Sequence, residues 1–162
     1  MSVVALWLGA ACATREPASA APVAAFHYTL AWDAGARMVR GELRATMPVA
    51  TPLAFDDIGE RFAHGPASAG PLMEGSASAW SFELASAAAA LDDIDRLAAR
   101  GHGITGSLAL LLPIPSAADD DASFTLHVQP APGEHFACAC APVAADRWRG
   151  TLGQLQIGRA HV

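Results

Sequence analysis

The stretch "FHYTLAWDAGARMVRGELRATM", Phe26 to Met47, decides the fold. In an extended chain successive side chains point to opposite faces. Phe26, Tyr28, Leu30 and Trp32 therefore share one face, and His27, Thr29 and Ala31 the other. "DAGA" reads as a turn, after which the alternation resumes, with Val39, Leu43 and Met47 expected inward and Arg40, Glu42 and Arg44 outward. Two half-buried strands joined by so short a connection should form an antiparallel hairpin.

Working outward, further strand candidates are Thr51–Asp56, Trp80–Leu84, Leu108–Ile114, Ser123–Gln129, His135–Cys140 and Gly150–Leu155, separated by Gly, Pro, Ser and Asp clusters. Many short strands punctuated this way predict an all-β protein, an antiparallel β-sandwich with one short helix. The helix is expected near Ala87–Arg100, where Leu91, Ile94 and Ala98 approximate one face, Asp92, Asp93 and Asp95 are polar, and Gly101 suits the position after the last turn. "ADDDAS", Ala118–Ser123, reads as a hairpin loop.

The 162 residues suit one domain. Hydrophobic residues make up 52% of the chain, but much of this is alanine, so the core rests on scattered Leu, Ile, Val, Phe and Trp. All ten basic residues are Arg, dispersed along a chain of net charge −6. Nucleic-acid affinity comes mainly from clustered cations, so nucleic acid is not an expected partner. The nearest approach to a cluster, Arg37, Arg40 and Arg44, reads as the solvated side of a strand.

Residues 1–24 read as an export signal and tether. The apolar run Val3–Ala11 is shorter than the ~20 residues a bilayer span needs. Two processing readings stand side by side. One is cleavage after a small-x-small site, Ala11-Cys12-Ala13 or Ala18-Ser19-Ala20. The other resembles a bacterial lipobox, with Ala10 and Ala11 before Cys12, which would then be lipidated and anchor the protein to the membrane; Gly9 stands where Leu is usual. Either implies an exported protein, periplasmic or anchored to the envelope. The sandwich domain is expected over 25–156.

Chemistry-bearing residues are sparse in pattern. "GEHFACAC" offers His135, Cys138 and Cys140, the vocabulary of a metal site. On a strand, however, Glu134, Phe136, Cys138 and Cys140 share one face and His135 takes the other, so the expectation is two buried free thiols. Asp119, Asp120 and Asp121 could contribute to a calcium site but lack EF-hand spacing, and the pairs Asp56/Asp57 and Asp92/Asp93 place no two carboxylates across a cleft. His27, His64, His102, His127, His135 and His161 never form H-E-x-x-H, and His27 and His127 are expected on a solvated strand face. Ser68 and Ser76 lack the G-x-S-x-G context of an exposed nucleophile. No catalytic, cofactor or metal residue is assigned within this chain.

The order of segments carries more than any motif. "YTLAWDAGARMVRGELRATMP", "WSFELA", "GSLALLLPIP" and "FTLHVQPAPGEHFACACAPVAADRWRGTLGQL" together resemble the N-terminal β domain of the glycyl-aminopeptidase type of bacterial zinc metallopeptidases. The likeness runs from Phe26 to about Leu155 and is densest over Phe124–Leu155. It implies a non-catalytic domain that supports a following thermolysin-like catalytic domain, its expected partner, which would carry the H-E-x-x-H motif and the zinc. The rival reading is a free-standing secreted or lipid-anchored β-sandwich that binds a partner. The final "IGRAHV", Ile157–Val162, continues no pattern and matches one frame of a common sequencing adapter. It is read as a non-native tail, with the gene expected to run on.

Overall fold

β1 (Phe26–Asp33) and β2 (Met38–Ala45) pair antiparallel over their full length, Phe26 opposite Ala45 and Asp33 opposite Met38. The structure is a computed structural model and describes residues 24–33, 37–65, 71–91, 97–100, 103–116, 118–133 and 135–157. Cys12, Ser68, His102 and His161 lie outside the described residues, as do 158–162 of the expected tail. The hairpin's alternation is realised in burial: Phe26, Tyr28, Leu30, Val39 and Leu43 are buried, while Arg40 and Arg44 are exposed. Met47 is a correction, being 53% exposed. β2 ends at Ala45, where the Thr46 hydroxyl and backbone N–H both donate to the Ala25 carbonyl and the chain leaves the ladder.

The remaining elements are β3 (Leu53–Ala54), β4 (Ala63–His64), β5 (Ala77–Phe82), α1 (Leu84–Leu91), β6 (Leu97–Arg100), β7 (Gly103–Gly106), β8 (Ile114–Pro115), β9 (Ser123–Gln129), β10 (Ala141–Ala144), β11 (Arg147–Thr151) and α2 (Leu152–Ile157). Seven strands form one sheet in the order β10-β11-β9-β1-β2-β5-β4, while β3-β8 and β6-β7 are two-stranded ribbons. The protein is all-β with little helix. β1 runs parallel to β9, Phe26 beside Phe124 and Leu30 beside Val128, so the large sheet is mixed.

One face of that sheet is the core. Phe26, Tyr28, Leu30, Val39, Leu43, Trp80, Phe82, Phe124, Leu126, Val128 and Trp148 project into it. The segment from Leu110 to Ile114 covers them and is clasped by two aromatic side chains. Tyr28 Oη donates to the Pro113 carbonyl at 2.9 Å, and Trp80 Nε1 donates to the Leu111 carbonyl at 3.0 Å. Tyr28 also meets Trp80 and Phe124 edge-on, at centroid distances of 6.4 and 5.9 Å. The polar tips of otherwise apolar rings thus satisfy the backbone of a buried irregular segment, which could not remain unpaired at low cost.

Several segments depart from the expected strands for identifiable reasons. Leu108–Ile114 opens with a 3-10 turn, Leu108–Leu110, entered through Ser107, whose side chain accepts from Ala109 N–H, and continues irregularly; only Ile114 pairs, in β8. Its apolar run reflects burial on all sides, which strand and helix share. Thr51–Asp56 contracts to β3, and β5 ends at Phe82, so that Leu84 belongs to α1. The helix falls earlier than Ala87–Arg100: Leu84, Ala87 and Ala88 are its buried face, and Leu97–Arg100 pairs with β7 instead. Residues 92–96 and Gly101 are outside the described set. Leu152–Leu155 is helical, because the Leu152 and Gly153 amides turn back to bond the Ala122 and Asp120 carbonyls. The same bonds make Ala118–Ser123 a docked turn, not a hairpin loop, since β8 pairs with β3 and not with β9.

Candidate functional site

The second face of the seven-stranded sheet carries a continuous set of polar side chains. Strand pairing aligns them in rows. Arg149, Thr125, His27 and Arg44 lie side by side on β11, β9, β1 and β2, and the next row is Arg147, His127, Thr29 and Glu42. Neighbouring strands stand ~4.8 Å apart, so each row is a short ladder of polar groups. The expected outward placing of His27 and His127 holds, but neither is freely solvated: both are half-buried and bonded. His27 Nδ1 is 2.6 Å from Thr125 Oγ1, and His127 Nε2 is 2.9 Å from Asp146 Oδ2. Arg44 pairs with Glu42, and Arg40 with Asp33.

Arg149 is different. Its Nε is buried and has no hydrogen-bond partner. Buried donors are nearly always satisfied, so an orphan on a face already lined with donors asks for an acceptor from elsewhere. Four of the ten arginines, at 40, 44, 147 and 149, stand on this face of a chain whose net charge is −6. The face suits carboxylate or backbone-carbonyl acceptors. Arg147 and Arg149 belong to no motif; the alternation of "RWRGT" about buried Trp148 is the signal that finds them.

A second cluster joins His64, Glu83 and Ser86 beside a shallow groove that Arg37, Met38, Ala85 and Ala89 also line. Glu83 lies at the N-terminus of α1, its carbonyl accepting from Ala87 N–H. Its carboxylate meets His64 Nε2 at 2.6 Å and also bonds Ser86. Hydrogen bonds from His64 and then Ser86 hold the Glu83 carboxyl below its ordinary range. The composition is that of a nucleophile triad but the order is not. The serine bonds the carboxylate, not the imidazole, so no base stands ready to take its proton. The arrangement ties β4 to α1.

His135–Cys140 forms no ladder, so the expected strand is corrected there; its period of two nonetheless survives in burial. Phe136, Cys138 and Cys140 are half-buried against the core, and His135 is exposed, so His135 does not join the thiols. The two cysteines are free, as expected, but half-buried where full burial was expected, because the stretch packs against the core without joining a strand. Burial, then the neighbouring Cys138, pushes the Cys140 thiol up to about 12.

Asp119 accepts from Asp121 N–H through its side chain, a local turn bond, and the Asp120 carbonyl receives Gly153. Asp56 likewise accepts from Ile58 N–H, and Ser76 donates to the Met73 carbonyl. Among the described residues, no three His, Cys, Asp or Glu side chains converge on a metal site, and no helix is long and apolar enough to cross a membrane. Comparison with protein-family models, curated proteins and solved structures finds no match to this chain.

Proposed function

We propose that this chain is a non-catalytic β domain that supports a neighbouring domain through the polar face of its large sheet. The observation that carries the reading is the half-buried Arg149, whose orphaned Nε lies on a face where His27 is already bonded to Thr125, and His127 to Asp146. A docked surface presenting acceptors would satisfy it and neutralise part of the arginine charge. Desolvated, charge-assisted bonds of this kind add geometric specificity.

The resemblance to the N-terminal domain of glycyl-aminopeptidase-type zinc metallopeptidases names the neighbour: a thermolysin-like catalytic domain of an exported or lipid-anchored enzyme, with zinc bound there. In the second reading, a free-standing binding module, the same face would take a separate acidic partner. A longer read of the gene distinguishes them. An in-frame H-E-x-x-H downstream, and loss of co-purification between the two halves in R147E/R149E, is the expected result. A stop codon directly after Val162 in an independent genomic clone would reject the enzyme-domain reading.

A further inference from the structure

Away from the polar sheet face, Cys138 and Cys140 stand on the same side of the chain with only Ala139 between them. The chain bends at Ala139 and Cys140, which brings the two thiols within hydrogen-bonding reach of each other. Both sulfurs are half-buried against the core, while Ala137 and Ala139 face solvent. The floor beside them is apolar: Phe136 meets Trp148 edge-on, with ring centroids 5.0 Å apart. The pair is therefore partly desolvated yet open from one side.

We propose that Cys138 and Cys140 form a two-thiolate chelate for a soft monovalent cation of the copper(I) class. Thiolate sulfur selects soft ions, and copper(I) is satisfied by ligand sets too small for tetrahedral zinc. His135 is exposed and stays apart from the half-buried pair, which by itself presents two soft donors side by side. On binding, each thiol releases its proton to solvent and each sulfur donates a lone pair to the ion. No electron is transferred. A disulfide would require the sulfurs to close to ~2.05 Å across a single intervening residue, a tight ring that the observed non-bonded pair does not anticipate.

The test uses the full chain carrying C12S, so that only the pair can answer, reduced and kept free of oxygen. Copper(I) is supplied from a colorimetric copper(I) chelator. The chain should withdraw one equivalent, and C138S or C140S should each weaken binding by about tenfold or more, while H135A should not. On the chain with both thiols intact, bound copper(I) should also protect both sulfurs from alkylation, a readout independent of whether the serine variants fold. Copper left on the chelator, unprotected thiols, or serine variants that bind equally well would overturn the site. So would a chain isolated under air as an intramolecular disulfide with no free thiol at either position.

Discussion

The indole of Trp80 lies over the bare Cα of Gly41, its register partner on the next strand, so closely that a Cβ at Gly41 would stand 2.1 Å from the nearest ring carbon. The ring cannot withdraw without cost. Trp80 Nε1 is bonded to the Leu111 carbonyl, and Phe55 meets its other side edge-on at 6.0 Å. Glycine is required at 41 for space, not for backbone conformation. Gly41→Ala should destabilise the domain by about 1–3 kcal/mol, the usual range for overpacking a filled core. Urea denaturation checks this. A smaller ring in G41A/W80F should recover part of the loss, a coupling that independent sites would not show.

Tyr28 is the chain's only tyrosine, and the chain has no lysine. Burial pushes the phenol well above its ordinary range. The unfolded phenol ionises near 10 and the folded one does not, so the folded state loses relative stability as pH rises above about 10. Stability should therefore fall with pH in that window. Y28F should remove most of the fall, leaving the part that belongs to Cys140, whose thiol is also held up. At neutral pH the same variant should cost about 0.5–1.5 kcal/mol, because the Pro113 carbonyl loses its donor. Absorbance of the phenolate against pH, alongside denaturation at each pH, measures both.

The Glu83 carboxyl is held below its ordinary range by His64 and then Ser86. Its contribution is present above the ordinary carboxylate pKa and lost as pH falls through the depressed value. Carboxyl-carbon NMR should show Glu83 titrating below its ordinary range. In H64A its midpoint should rise toward that range. A midpoint unmoved by H64A would mean that the 2.6 Å contact does not persist in solution.

Arg149 keeps a buried unpaired donor in the isolated domain. Replacing an unsatisfied polar group with an apolar side chain of similar length removes a desolvation penalty, so Arg149→Met should leave stability within about 0.5 kcal/mol of the parent, or raise it. A loss of 2 kcal/mol or more, roughly the cost of breaking a real charge-assisted bond, would show that Arg149 is already engaged within the domain. Thermal unfolding of the two proteins decides.

Elements whose two faces differ are legible in the amino-acid order alone. β1, β2 and β9 were legible because apolar and polar residues alternate where one side of a sheet meets the core and the other meets water; Phe26 to Trp32 and Ser123 to Gln129 show it residue by residue. All-β character followed from that alternation and its punctuation. Tertiary structure decided what has no face to report. The apolar run at Leu108–Ile114 is buried from Ala109 onward, and the irregular stretch after its 3-10 turn is held by Tyr28 and Trp80, distant in sequence, which bond the Pro113 and Leu111 carbonyls. Leu152–Leu155 turns helical because its amides find Ala122 and Asp120, another long-range pairing. The parallel match of β1 to β9 joins residues 98 apart at His27 and Thr125, and that match, not any local motif, lines up Arg149, Thr125, His27 and Arg44. Local side-chain period is written into every few residues, whereas the choice of partner is an energy summed over the folded chain.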